Sequence, residues 1–155
     1  MSSVFELTVK ERNILAEVAS RLEPYVQKIA EEWTARLRQE EEAGHVLPSP
    51  VPFSMRRQIN EEAVSFFLAS LRSGDLGNYA RELKERLITK VIDMGGEVGQ
   101  TLVAGMVAHS IYYHLLSEVF ADQPEKIPLA QQALLKIFDL TALWAAEAHA
   151  QAKEQ

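Results

Sequence analysis

Apolar residues recur along this chain at intervals of three and four, the period of helices with one buried face, and no alternating strand pattern bounded by turns interrupts them. The pattern and its caps predict six helical segments. The first runs from about Thr8 to Leu22, with Ile14, Val18, Leu22 and Tyr25 as its stripe, and Thr8 with Glu11 three residues on forms a capping box. Pro24, tolerated in a first turn, opens the second, which carries Val26, Ile29, Trp33 and Leu37 to about Ala43 and Gly44. The three prolines in HVLPSPVPF (His45 to Phe53) forbid helix there. Ser54 is expected to cap the third segment, with Ile59, Ala63, Phe66, Phe67 and Leu71 inward and Gly74 as the stop. Asn78 is expected to cap the fourth, with Tyr79, Leu83, Leu87 and Val91 at fourfold spacing before Gly95 and Gly96.

The fifth segment, about Glu97 to Phe120, is apolar around most of its circumference. One stripe is Leu102, Met106, His109, Tyr113, Leu116 and Phe120; a second is Val98, Gly105, Ala108, Tyr112, Leu115 and Val119. Such a helix is either the central core helix or divided between core and subunit interface. Gly99, Ala104, Gly105 and Ala108 would admit a close neighbour in either case. The sixth segment runs from about Pro128 to the C-terminus without a glycine or proline stop, which leads to the expectation that it continues into a following domain.

At 155 residues, 47% hydrophobic and 25% charged, the chain has the size and balance of one globular domain spanning residues 1–155. The absence of cysteine excludes disulfides, thiolate metal sites and cysteine nucleophiles, and suits a reducing, cytoplasmic setting. A net charge of −6 with scattered basic residues argues against nucleic acid as a partner. The opening MSSVFELTVKER lacks the apolar stretch of a secretory leader. Val98 to Ser117 contains no Asp, Glu, Lys or Arg, yet Gln100, Thr101, His109, Ser110, His114 and Ser117 would be costly in lipid, so a buried helix is expected and no membrane partner.

The search for chemistry leaves little. His109 and His114 are five apart and point differently, whereas helical metal ligands want spacings of three or four. Glu42 and His45 fit one Glu-x-x-His motif, but a di-iron bundle needs two. No metal site, cofactor or catalytic residue is therefore expected. His109 with Tyr113 could hold a ligand or respond to pH, or could be an ordinary satisfied core pair. Glu40, Glu41 and Glu42 read as a solvated face. Arg56 and Arg57 at the start of the third segment could take an anion but are equally ordinary surface arginines.

Two opening helices, a proline-rich connection and four more helices with a long, buried fifth resemble the globin order without its short middle helix. The third segment would then be distal and the fourth proximal, and neither contains the histidine that holds haem iron. IAEEWTARLRQ, SGDLGNYARELKERL and GGEVGQTLVAGMVAHSIYYHLL, together spread over most of the chain, resemble the N-terminal non-haem globin domains of RsbR-type stressosome proteins. The resemblance implies an all-α, globin-like six-helix domain lacking haem. It also implies a dimeric sensor in a sigma-B-type bacterial stress pathway, relaying its signal through the last helix to an effector such as a STAS domain and to other signalling proteins.

The excess apolar surface on the last two segments makes Tyr112, Leu115, Val119, Leu140 and Trp144 the expected homodimer interface. The alternative is a haem- or small-molecule-binding sensor of a kinase or phosphatase, with a pocket between the third, fourth and fifth segments and His109 or Tyr113 as the internal ligand.

Overall fold

The structure, a computed structural model, describes residues 6–154; the reading of the N-terminal stretch falls partly on residues 1–5, and that of the last helix reaches Gln155, both outside this span. Every regular element is helical: α1 (Val9–Leu22), α2 (Val26–Glu42), α3 (Phe53–Ser73), α4 (Leu76–Leu83), α5 (Thr89–Asp93), α6 (Val98–Val119) and α7 (Ile127–Lys153). No strand occurs among the described residues. These elements make five continuous rods rather than six. A 3₁₀ turn, Glu23–Tyr25, joins α1 to α2, and a π-helical turn, Lys84–Ile88, joins α4 to α5. Pro24 lacks the N–H needed to continue the α-helical ladder, so the chain tightens there without breaking.

The Thr8 capping box forms as expected: Glu11 N–H donates to Thr8 Oγ1 at 3.1 Å and Thr8 N–H donates to Glu11 Oε1 at 2.9 Å. Two other caps differ. Pro52, not Ser54, precedes α3, with no side-chain bond to the helix end. Asp75, not Asn78, caps α4, accepting from the Asn78 N–H at 2.9 Å. An aspartate that already supplies the accepting oxygen leaves Asn78 free to enter the first turn.

The fourfold stripe expected from Tyr79 to Val91 is interrupted by the π turn. Bonding from i to i+5 inserts one residue and rotates everything after it. The inward positions become Tyr79, Leu83, Ile88 and Ile92, which join the core clusters, whereas Leu87 and Val91 do not. Ile88 seals against Ala145 and Ala148 of α7, with Leu102 of α6 beside them.

The main core gathers Leu15, Val18 and Leu22 of α1, Phe67 and Leu71 of α3, Leu116 of α6 and Leu134 and Ile137 of α7. Its centre is aromatic: Phe67 lies 5.5 Å from Tyr79, 5.1 Å from Tyr112 and 5.3 Å from Phe138, ring centre to ring centre. One ring from α3 thus meets rings from α4, α6 and α7.

Two glycines test the packing around α6. A Cβ on Gly96 would lie 2.3 Å from Val91 Cγ1 and 2.8 Å from the Val91 carbonyl oxygen, so the α5–α6 corner requires glycine. A Cβ on Gly105 meets nothing within 4 Å, nor does one on Gly99. The expected close approach of a helix at Gly99 and Gly105 therefore does not occur within this chain. Gly105→Ala should stabilise the fold by about 0.5–1 kcal/mol through helix propensity alone, whereas Gly96→Ala should lower stability. Thermal denaturation of the two variants checks both signs.

Candidate interaction face on α6 and α7

α6 is covered on three sides and open on the fourth. Trp33 of α2 donates its Nε1–H to the Ala104 carbonyl at 2.9 Å, fixing one flank. Arg21 of α1 donates to the Val119 carbonyl at 2.6 Å and to Asp122 at 2.6 Å, closing the C-terminal end where the last carbonyls lack helical partners. α7 covers a third side. The core face is Ala108, Ile111, Tyr112, Leu115 and Leu116, so the second of the two apolar stripes, joined by Ile111, is the one that points inward. The first stripe divides: Leu116 and Phe120 are buried, but Met106 is 69% exposed and Tyr113 42% exposed. α6 is thus a half-open helix and not a fully sheathed central one.

Several expected site positions fall elsewhere. Tyr112 and Leu115 belong to the protomer's own core and offer no surface to a partner. Val119 is half-buried, with its carbonyl held by Arg21. Leu140 and Trp144 lie on the flank of α7 turned from α6, with Trp144 edge-on to Tyr79 at 6.3 Å. An apolar helix seen as sequence does not reveal which of its two stripes the neighbouring helices occupy, and here they occupy the stripe chosen as surplus.

The open apolar surface lies instead along the outer seam between α6 and α7. His109 of α6 stacks on Phe138 of α7, with centroids 4.7 Å apart and planes 15° from parallel. Farther along, the His149 ring nitrogen Nε2 lies 2.9 Å from Thr101 Oγ1. These two pairings make the helices antiparallel and set their register, which puts Tyr113 level with Leu135 and Met106 level with Ala142 and Leu143 along the pair. Leu135 is 49% exposed, and Leu143 is also exposed. Beyond Met106, the α6 face continues through Val103 and Gly99 to a shallow cavity of about 240 Å³ that Glu97 also lines, shared with Val46 and Leu47 of the proline-rich connection. On α6 this face carries no charged side chain, whereas on α7 the exposed Asp139 stands between Leu135 and Leu143.

His109 and Tyr113 do not form a buried polar pair. Tyr113 is exposed, their rings meet edge-on at 6.3 Å, and His109 Nε2 is shut from solvent with no hydrogen-bond partner. Burial lowers the His109 imidazole below its ordinary value of 6.5, partly opposed by Asp139. His114 is exposed.

The glutamate run is not a uniform solvated face. Glu41 is largely buried and paired with Arg56 at 2.6 Å, which also holds the Val51 carbonyl, so this pair straps the proline-rich connection to α3. The guanidinium of Arg56 is thereby occupied, and Arg57 pairs with Glu31. His45 bonds Glu40 at 2.8 Å, not Glu42, which pairs with Arg38.

The space between α3, α4 and α6, where the alternative reading places a ligand, is occupied by Phe66, Phe67, Tyr79 and Tyr112. Among the described residues no three His, Asp or Glu side chains converge on a point that could hold a metal ion, and no helix is long and apolar enough to cross a membrane.

No protein family, characterised protein or solved structure matches this chain. Its function is therefore argued from its own geometry.

Proposed function

We propose that the chain is a regulatory input domain, globin-like and haem-free, that pairs with a second copy of itself and relays a signal along α7. The observation that carries this reading is the row of exposed apolar side chains Met106, Tyr113, Leu135 and Leu143, uncharged on its α6 side. A second copy suits that face because homodimer interfaces are richer in apolar area than ordinary surfaces. The resemblance to the N-terminal domains of RsbR-type stressosome proteins supports the same reading and supplies its context: α7 would lead towards an effector such as a STAS domain in a bacterial stress pathway. The haem-free part rests on the aromatic side chains between α3, α4 and α6 and on the lack of histidine in both helices.

Sedimentation across the micromolar range tests the pairing. The natural chain should sediment as a dimer, and Met106→Glu with Leu135→Glu should weaken association at least 30-fold, about 2 kcal/mol, without changing helicity. A monomer at high micromolar concentration, or a variant that still pairs, would sink the proposal.

The unpartnered His109 Nε2 is the one observation favouring a ligand-binding sensor. Added haem distinguishes the readings. No Soret band is expected, whereas a stoichiometric band lost in His109→Ala would favour the second reading.

A further inference from the structure

Two histidines sit on the same helix–helix seam, each with a ring nitrogen held inside it. His109 projects from α6 onto the face of Phe138, with Nε2 enclosed and unbonded. His149 projects from α7, is buried, and touches α6 through Thr101 Oγ1 at 2.9 Å. The first contact lies near the middle of both helices and the second near the start of α6 and the end of α7, so together they bracket the distal half of α7 against α6. Between them Gly105 leaves open space at its Cβ position, and the packing there is the small cluster of Ile88, Leu102, Ala145 and Ala148.

We propose that the α6–α7 seam is an acid-releasable latch, closed while His109 and His149 are neutral and loosened when they take protons. In the neutral state His109 loses only one lone pair's hydrogen bond. As an imidazolium it would have to hold an N–H and a positive charge in an apolar slot with no acceptor, which is several times worse. When the seam opens, water supplies the acceptor.

The charged groups facing these rings modulate the balance. Asp139, one residue beyond Phe138 on α7, favours the charged form of His109. Glu97 at the start of α6 favours it for His149, and Lys153 on α7 opposes it. For both rings burial is the larger influence and favours the neutral form. The sign follows. The open seam binds more protons than the closed one below the ordinary histidine value of 6.5, so closure is complete above that value and weakens as pH falls beneath it. Because α7 is the relay helix in the proposed function, the latch would make that relay sensitive to acidification, although the latch itself rests on the fold and not on pairing.

Hydrogen exchange of the intact chain, corrected for intrinsic chemistry, tests it. Between pH 7.5 and 5.5, amides in the distal half of α7 should open more often, by up to about tenfold for each histidine that is released, while amides of α1 and α3 should change little. The variant His109→Phe with His149→Gln keeps the ring stack and a hydrogen-bonding group, and should lose that pH dependence. Imidazole proton resonances of the unmodified chain, followed by nuclear magnetic resonance, should titrate below 6.5. Resonances titrating at or above that value, equal acceleration in α1 and α3, or an unchanged response in the variant would each overturn the latch. Sedimentation at the same pH values separates its failure from failure of the dimer.

Discussion

Glu11→Ala should destabilise the fold by about 3 kcal/mol, measured as the shift in urea unfolding at pH 7. Glu11 is 0% exposed, yet it is charged. Burial pushes its carboxyl up, but Lys136 at 2.8 Å, the Thr8 N–H and Gln132 together pull it down to about 2. The alanine variant strands Lys136 and removes half of the α1 capping box at once. Removing one partner from a buried pair commonly costs about 3–5 kcal/mol, and this case falls at the low end because Lys136 keeps some contact with water.

The pH dependence has a definite sign. A carboxyl lowered from 4.5 to about 2 contributes stability that is complete above 4.5 and is lost as pH falls towards 2. Glu11→Gln should flatten the stability curve in that range. A double replacement, Glu11→Leu with Lys136→Met, should recover most of the loss, because the charges then leave together. A single-variant loss below about 1 kcal/mol would mean that water already reaches the pair.

Phe67→Ala should cost about 4 kcal/mol, the middle of the range for truncating a buried aromatic. Phe67 is almost wholly buried and touches rings from three other helices, so truncation leaves a cavity that α3, α4, α6 and α7 cannot all move to fill. Phe138 rests on Phe67 on one side and on His109 on another, so the same change should loosen the α6–α7 seam. Denaturation measures the first effect, and hydrogen exchange in α7 measures the second. A conservative Phe67→Leu change should lose markedly less. If both variants behaved alike, the aromatic cluster would not be the organising centre of the core.

Much of this arrangement is local and therefore legible. The all-helical class follows from period, the α1 start from the Thr8–Glu11 spacing, and the break at residues 45–52 from prolines that cannot donate to a helical ladder. The missing charges between Val98 and Ser117 correctly marked α6 as unusual. His149 was legible only as one more residue near the end of a helix; its partner Thr101 is 48 positions away. Glu41 likewise looked like a solvated carboxylate, and the Thr8–Glu11 spacing gave no sign of Lys136, because the arginine and lysine that pair with these carboxylates arrive from other helices.

The sequence by itself determined that this protein is helical, where most of its helices begin and end, and that α6 has more apolar surface than one core face needs. Only the tertiary structure decided which stripe of α6 is used. α2 and α7 approach from the sides of Ala104 and Phe138, which directs Tyr112 and Leu115 inward and leaves Met106 and Tyr113 outside. The π turn at Lys84–Ile88 was likewise decided by packing. Shifting the register by one residue seats Ile88 against Ala145 and Ala148, and a helical period read from the sequence contains no sign of that insertion. Periodicity is a property of one segment, whereas burial is a property of its neighbours, and the neighbours of α6 are fixed by contacts far apart in the chain.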